Sequence, residues 1–470
     1  MSFAPIARFL AYAFFAVAIC TIIPGIYCAV TRSPDLDGYA FAFGLSLFAG
    51  GAALAFSSGL RERPAVRGGL RELLAALVLF WAGVPIVAAV PFFQQGWSYG
   101  DAWFEAVSGL TTTGAWLSSP SARASEADML YRASLQWTGG LVSLCTAAAI
   151  FVRAEFMGVA PLVPPFARGE SGSYLRAFAA AYRVFLPVFS SLTAIGLLTL
   201  FLLGVPIVEA VVLSMSLLST SGFVPDPGGI ESYGVPVTIV AVVLMALGAV
   251  NFIVVAQVST GRRRRMRGGE DRETLTFFLL CPAIALLFWL SAGAGDLDRL
   301  LPQLFNAVSI LSTNGVTIGE PPQLTPVLVT AVIGGAAVST AGGVKLLRWL
   351  VTFDRAGEEL WKLIHPGGVV PRPVTINEFG VWIHTIAFTI LLAVFVLITA
   401  FFGSSLEASA ATAVAMVANV GPLLDLAPRM TADYVLLDGA LRPLLALGMI
   451  AGRLELVVLL VLLNRRFWES

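Results

Sequence analysis

The chain is 470 residues long, 57% hydrophobic and only 12% charged, with a mean hydropathy of +0.85. A soluble chain carries about 25% charged residues, so half the charge needed to coat a water-exposed surface is missing and a soluble globular fold is excluded. The 29 basic residues, all but two of them arginine, balance 29 acidic ones, so no net excess points to nucleic acid or to an acidic partner.

The first apolar run follows Arg8 and reaches about Val30, too long for the core of a cleaved signal peptide, and predicts a membrane span. Runs of about 20 apolar residues, the length that crosses a bilayer, recur near 9–30, 40–58, 72–93, 133–152, 178–204, 235–258, 275–293, 325–350, 379–402 and 441–463. That pattern predicts ten spans. Between them lie apolar pieces of about ten to fifteen residues, near 101–111, 206–219, 300–312 and 406–418, each closing on small polar residues and a glycine. They are too short to cross and suit re-entrant helices that return to their own side. Cys20, Cys28, Cys145 and Cys281 all lie in apolar runs with no CxxC and no nearby histidine, so they read as small core residues and not as disulfide or zinc partners.

Arginine placement sets the expected orientation. Clusters fall at Arg61, Arg63, Arg67 and Arg71; at Arg153, Arg168, Arg176 and Arg183; at Arg262 to Arg265 with Arg267 and Arg272; at Lys345, Arg348, Arg355, Lys362 and Arg372; and at Arg465 and Arg466. With ten spans, every cluster falls on the face that holds Arg8, which predicts a multi-pass protein of the cytoplasmic (inner) membrane with both termini in the cytoplasm. The arginine run 262–267 reads as a topology signal, with docking of anionic lipid or a regulatory subunit as the alternative. The opposite face carries 225–234 (PDPGGIESYG) and 295–298 (GDLD), either an outer vestibule for cations or merely solvated turns.

The four short pieces end alike: TTTGA (111–115), STSGF (219–223), STNGV (312–316) and ANVGP (418–422). Their glycines, Gly114, Gly222, Gly315 and Gly421, recur at intervals of 108, 93 and 106 residues, and FEAVSGLTTTG aligns with FNAVSILSTNG without a gap. This is an internal repeat of helix, re-entrant helix and helix. A dehydrated monovalent cation at membrane depth needs a ring of oxygens in place of water. A segment that aims successive carbonyls inward needs a residue free to take an unusual φ, for which glycine is suited. The negative pole of each re-entrant helix would favour a cation at the same place. The span at 325–350 is interrupted by Gly334, Gly335, Gly342 and Gly343, with Ser339 and Thr340 between them; so many small residues either break the helix into a loop or let neighbouring helices pack closely. Arg453 falls inside the last span, where a charge costs at least about 2.5 kcal/mol and needs a partner or water. Glu455, two residues on, faces elsewhere, which leaves a gating charge or a salt bridge to another helix open as roles for Arg453.

At these residues the sequence resembles the Trk-type and Ktr-type potassium-uptake proteins, the membrane-spanning subunits of bacterial potassium transporters. DAWFEAVSGLTTTGA (101–115), RASLQWTGG (132–140), GAVNF (248–252), STAGGVKLLR (339–348), HPGGVVP (365–371), ANVGP and GRLE (452–455) occur in that family's order over nearly the whole chain. The resemblance implies an all-α polytopic membrane protein with four pseudo-symmetric helix, pore-helix, helix repeats around a central pore and two additional N-terminal helices. The extension would occupy 1–60 and the repeats 61–160, 161–265, 266–365 and 366–470. It also implies potassium as the transported ion, no other cofactor, a homodimer in membrane lipid, and a cytoplasmic nucleotide-binding regulatory ring. By that analogy the selectivity filter falls on Thr111, Thr112, Thr113 and Gly114; Thr220, Ser221 and Gly222; Thr313, Asn314 and Gly315; and Asn419, Val420 and Gly421. The gate would comprise Gly334, Gly335, Ser339, Thr340, Gly342, Gly343 and Lys345, with Arg453. Three places depart from the family pattern: Ser221 stands where a further glycine is usual, Asn314 adds an amide, and GGAAV (334–338) lacks the usual cysteine.

A sodium-permeable or non-selective transporter of the same fold is the first alternative function. An embedded enzyme acting on lipid is the second. For the enzyme no HExxH, GxSxG or Walker sequence is visible, and the only two histidines, His365 and His384, form no cluster.

Overall fold

The computed structural model describes residues 3–60, 70–117, 125–151, 174–259, 270–293, 297–365, 378–426, 437 and 439–454. Regular structure among them is helical, as the composition requires of a chain whose backbone must satisfy itself in lipid. Seven of the described helices are long and apolar enough to cross a membrane, or eight if one bent pair counts as a single span. The protein is therefore a multi-pass membrane protein. Arg61, Arg63, Arg67, Arg153, Arg168, Arg262 to Arg265, Arg267, Arg372, Glu455, Arg465 and Arg466 lie outside the described residues.

Phe3–Thr31 and Leu36–Gly59 form an antiparallel pair at the N-terminus. Large apolar side chains on the outer faces of this pair, Ile26, Phe48 and Phe56 among them, are exposed, as lipid-facing residues are. Leu70–Gln94, Glu126–Phe151, Tyr174–Leu202, Glu270–Ser291 and Glu378–Phe401 are the further long helices. All four cysteines are free and buried, as core residues.

Four helices of 12 residues each, Tyr99–Leu110, Ile207–Leu218, Leu300–Leu311 and Leu406–Val417, stand at the places of the short apolar pieces. At 1.5 Å per residue each is about 18 Å long, little more than half a bilayer core. Their starts are written in the sequence. The Ser98 hydroxyl accepts from the Asp101 amide and the Ser405 hydroxyl from the Ala408 amide, each at 3.2 Å. Asp101, Glu209 and Glu407 place a carboxylate in the first turn, at the positive pole.

Two expected spans are not continuous. The run 235–258 reads in sequence as one helix, but it divides into Val235–Ala249 and Phe252–Ser259, inclined by 107°. The cause is Asn251: its Oδ1 accepts from the Ile253 amide at 3.1 Å and so starts a new helix, while its Nδ2 donates to Glu273 at 3.0 Å. The run 325–350 has helix over Leu324–Ile333 and Leu346–Ile364 with a non-helical loop between them. The two breaks satisfy each other. The Ala249 carbonyl freed at the first accepts from the Ala336 amide at 2.8 Å, and the Phe252 amide donates to the Val338 carbonyl at 2.7 Å. Of the last run, the helix Leu441–Arg453 is described, with Arg453 in its last turn.

Candidate functional site

The four short helices terminate by one geometry. The amide two residues past the last helical residue donates three back: Thr112 to Gly109 at 3.0 Å, Thr220 to Leu217 at 3.2 Å, Thr313 to Ile310 at 3.0 Å and Asn419 to Met416 at 3.3 Å. The next amide donates five back: Thr113 to Ser108 at 3.0 Å, Ser221 to Ser216 at 3.1 Å, Asn314 to Ser309 and Val420 to Ala415 at 2.8 Å each. These paired bonds are the Schellman ending, which requires a left-handed residue that is usually glycine. Here that residue is Thr112 (φ 53°), Thr220 (56°), Thr313 (62°) or Asn419 (55°). The expectation that a glycine supplies an unusual φ in each segment therefore needs correction only at Gly421, and in every segment a left-handed residue precedes the glycine. Gly114, Gly222 and Gly315 are also left-handed, at 72°, 69° and 75°, but Gly421 is not.

What the glycines do is close a ring. A Cβ on Gly114 would lie 1.9 Å from the Ser221 carbonyl oxygen, and one on Gly222 would lie 1.8 Å from that of Asn314. On Gly315 it would meet Val420 Cγ1 at 2.9 Å, and on Gly421 the Thr113 oxygen at 2.5 Å. In every case the glycine of one segment abuts the residue just before the glycine of the next, in the order first, second, third, fourth, first. The Gly421 amide seals the last junction by donating to the Thr113 carbonyl at 2.6 Å. All four segments are buried.

Side chains brace the segments from behind. Ser108 Oγ donates to the Ala115 carbonyl, and Ser216 Oγ accepts from the Phe223 amide, both at 2.6 Å and at matched positions. Glu105 Oε1 accepts from the Leu117 amide at 2.7 Å, and Asn306 Oδ1 accepts from the Ile318 amide at 2.9 Å, so the ungapped alignment of the first and third repeats corresponds to one shared bond. Glu105 is also ion-paired with Arg132 Nε at 3.1 Å, both side chains being buried, and the guanidinium lies 5.5 Å from the Phe92 ring centroid. Sequence reading missed this pair, although two opposite charges in neighbouring apolar segments were a visible signal. Removing one partner strands a buried charge, so Glu105→Leu or Arg132→Met is expected to cost about 3–5 kcal/mol and the double variant markedly less than the sum. Thermal unfolding of the three variants in detergent tests this, and strictly additive losses would sink the assignment.

On the face of the ring where the left-handed side chains lie, the loop 334–345 runs across it. Thr340 Oγ1 donates to the Leu218 and Gly248 carbonyls at 3.2 and 3.0 Å, and the Gly342 amide donates to Thr313 Oγ1 at 2.8 Å. A Cβ on Gly342 would lie 2.0 Å from the Ala418 oxygen. Lys345 Nζ donates to the Ala341 carbonyl and reaches Ser339 O and Oγ at 3.4 Å, tying the loop to itself. Ser339 Oγ donates to the Ala336 carbonyl at 2.6 Å, while Gly334 and Gly343 pack face to face, each left-handed. Gly335 is equally crowded, with the Ala249 oxygen 2.8 Å from where its Cβ would stand. Arg453 Nη2 donates both to Thr112 Oγ1 and to the Thr340 carbonyl, the latter at 2.6 Å, and so joins the first segment to the loop. The expected alternative, a salt bridge from Arg453 to another helix, is absent among the described residues. A cavity of about 40 Å³ bordered by Ser339, Gly342, Lys345, His384 and Arg453 has room for a few waters.

Ser221 and Asn314, the two departures in the ring, are both tied to protein groups. Ser221 Oγ donates to Gln136 Oε1 at 2.8 Å, and Asn314 Nδ2 donates to Ser312 Oγ at 2.9 Å. Thr111 Oγ1 and Thr113 Oγ1 share a hydrogen bond of 2.7 Å, and Asn419 Nδ2 donates to Thr113 Oγ1 at 2.9 Å. No group of three or more His, Cys, Asp or Glu side chains arranged to hold a metal occurs among the described residues.

Comparison with known proteins agrees over the whole length. The chain is 27% identical to the Trk system potassium uptake protein TrkI of Halomonas elongata, covering 99% of this chain and 97% of that one. It is 29% identical to the Trk system potassium uptake protein TrkH of Salmonella typhimurium, covering 96% of each. The crystal structure of the potassium transporter TrkH from Vibrio parahaemolyticus superposes with a TM-score of 0.85 at 24% identity, covering 100% of both chains, which establishes the same helical fold. The TrkH family profile, described as a cation transport protein, matches residues 92–467, and the chain belongs to the TrkH family of cation transport proteins.

Proposed function

We propose that the chain carries potassium into the cell along the axis of the ring, with oxygens of residues 111–114, 220–222, 313–315 and 419–421 standing in for the water of the ion. The observation that carries this reading is the closure of four equivalent reversals into one ring, each glycine seated on the next segment. Four short helices end at that ring with their negative poles, and a bare cation is what such an arrangement favours. The relatives are named potassium uptake proteins of the Trk system, which supports potassium as the cargo. Ser221 and Asn314 are bonded within the protein, which leaves the backbone ring in place and favours potassium over the non-selective alternative.

In this reading the loop 334–345 and Arg453 form a gate on the cytoplasmic side of the ring, and the arrangement described is closed. Both termini face the cytoplasm, and the short helices begin on the outer side, where Asp101, Glu209 and Glu407 add negative potential for arriving cations. The protein works as a homodimer in the inner membrane. A cytoplasmic nucleotide-binding ring, the regulatory part of a Trk system, moves the loop. The purified protein in liposomes, as the parent and with the gate loosened by Arg453→Ala, is the test: potassium flux clearly faster than sodium flux is expected, equal rates would favour the non-selective alternative, and no flux of either ion from both proteins would overturn the proposal.

A further inference from the structure

Two carboxylates stand within reach of one guanidinium beside the first segment. Asp128 and Arg132 are four residues apart on one face of Glu126–Phe151, acid before base, the spacing and order at which an ion pair forms along a helix. Yet Arg132 is ion-paired across helices with Glu105 at 3.1 Å, and Glu105 in turn accepts from the Leu117 amide at 2.7 Å, three residues past Gly114. Asp128 is occupied otherwise: its Oδ1 accepts from the Tyr39 hydroxyl at 2.8 Å and from Gln95 Nε2 at 2.5 Å. Tyr39 belongs to Leu36–Gly59 of the N-terminal pair and is buried, its ring centroid 5.6 Å from that of Tyr131, while Gln95 follows Leu70–Gln94. The N-terminal pair makes a second bond of the same kind at the same helix end, where the Tyr27 hydroxyl donates to Glu126 Oε2 at 2.6 Å. Glu126 lies six residues from Arg132, on a different face of the helix, and does not compete for the guanidinium.

We propose that Tyr39 and Gln95 are positioning residues for the ring: by donating to Asp128 they hold that carboxylate off Arg132, so that the guanidinium stays with Glu105 and Glu105 stays with the Leu117 amide. The inference rests on the ring being the potassium path. Without the two donors, Asp128 is a carboxylate one helical turn from Arg132, whereas Glu105 is reached across a packed interface between helices. The guanidinium then divides between them. A Glu105 deprived of its cation is a buried charge that must take up a proton or water, and a neutral or hydrated carboxyl holds an amide less tightly than a carboxylate does. Residues 115–117 loosen, and with them the chain that sets the carbonyls of the first segment. The N-terminal helix pair thus bears on ion preference from outside the ring, by deciding which carboxylate Arg132 serves.

Hydrogen–deuterium exchange of the full-length protein in lipid nanodiscs tests this, read on peptides covering 112–117, which contain the Leu117 amide. Tyr39→Phe with Gln95→Leu removes both donors and keeps the side-chain volumes. Exchange is then expected to quicken by about tenfold. The ratio of potassium to sodium flux in liposomes, measured with the gate loosened by Arg453→Ala, is expected to fall by about threefold or more. Adding Asp128→Ala to the two substitutions should restore both readings, because no second carboxylate then draws on Arg132. A clasp that merely anchored the N-terminal helices would stay as broken as before. Tyr27→Phe, which breaks the neighbouring bond to Glu126, should change neither reading. Exchange that is unchanged without the two donors, or that quickens and is not restored by Asp128→Ala, overturns the inference, as does quickened exchange with an unchanged flux ratio. An Arg453→Ala protein that shows no preference for potassium before any of these changes overturns instead the ring reading on which the inference rests.

Discussion

Gly222→Ser is expected to lower the preference for potassium over sodium by at least about tenfold, or about 1.4 kcal/mol, in a protein that remains folded. The new Cβ would stand 1.8 Å from the Asn314 carbonyl oxygen, a backbone atom that cannot rotate aside, so the third segment must move out of the ring. Gly114→Ser should act almost as strongly, with the Ser221 oxygen at 1.9 Å. Gly315→Ala is expected to be the mildest of the ring changes, because its nearest neighbour is a Val420 methyl at 2.9 Å, the free end of a side chain. Gly357→Ala, with nothing within 4 Å, serves as the neutral control. Permeability ratios from liposome flux decide the matter. Ratios unchanged in both Gly114→Ser and Gly222→Ser would sink the filter assignment.

The ordering of those effects shows where sequence reading stops. The repeat of Gly114, Gly222, Gly315 and Gly421 was legible because four glycines at matched positions, each closing an apolar piece too short to span a bilayer, seldom arise from packing alone. The helices themselves followed from run length, which bilayer thickness fixes. The left-handed φ of Thr112, Thr220, Thr313 and Asn419 was not legible, since threonine disfavours that region and glycine is the usual residue at the helix ending whose bonds hold it there. Nor was the 107° bend at Asn251, a single amide in an apolar run whose effect depends on a partner, Glu273, 22 residues away. Glu105 and Arg132 were visible as charges but not as a pair, because which helices become neighbours is decided by packing and not by spacing. Hydropathy therefore recovers length and placement, while the chemistry of the ring depends on contacts between segments about a hundred residues apart.

Arg453→Ala is expected to raise potassium flux in the absence of any cytoplasmic partner by about thirtyfold. A guanidinium and a passing cation about 8 Å apart at an effective dielectric near 20 repel by roughly 2 kcal/mol, which is about that factor in rate. The structure adds a second cause acting in the same direction. Arg453 holds the Thr340 carbonyl at 2.6 Å and the Thr112 hydroxyl, so its loss frees the loop from the first segment while Thr340 stays bound to Gly248 and Leu218. Arg453→Lys separates the two causes: it keeps the charge, but a single ammonium on a flexible stem cannot hold two acceptors in the fixed geometry of the guanidinium. Flux in Arg453→Lys near that of the parent would assign the barrier to charge, and flux near that of Arg453→Ala would assign it to the tether. Melting temperature recorded on the same samples guards against misreading, since with hydroxyl and carbonyl partners the truncation leaves no carboxylate stranded and should cost no more than about 1–3 kcal/mol. An Arg453→Ala protein that is strongly destabilised, with flux per folded molecule unchanged, would return Arg453 to a structural role and remove it from the gate.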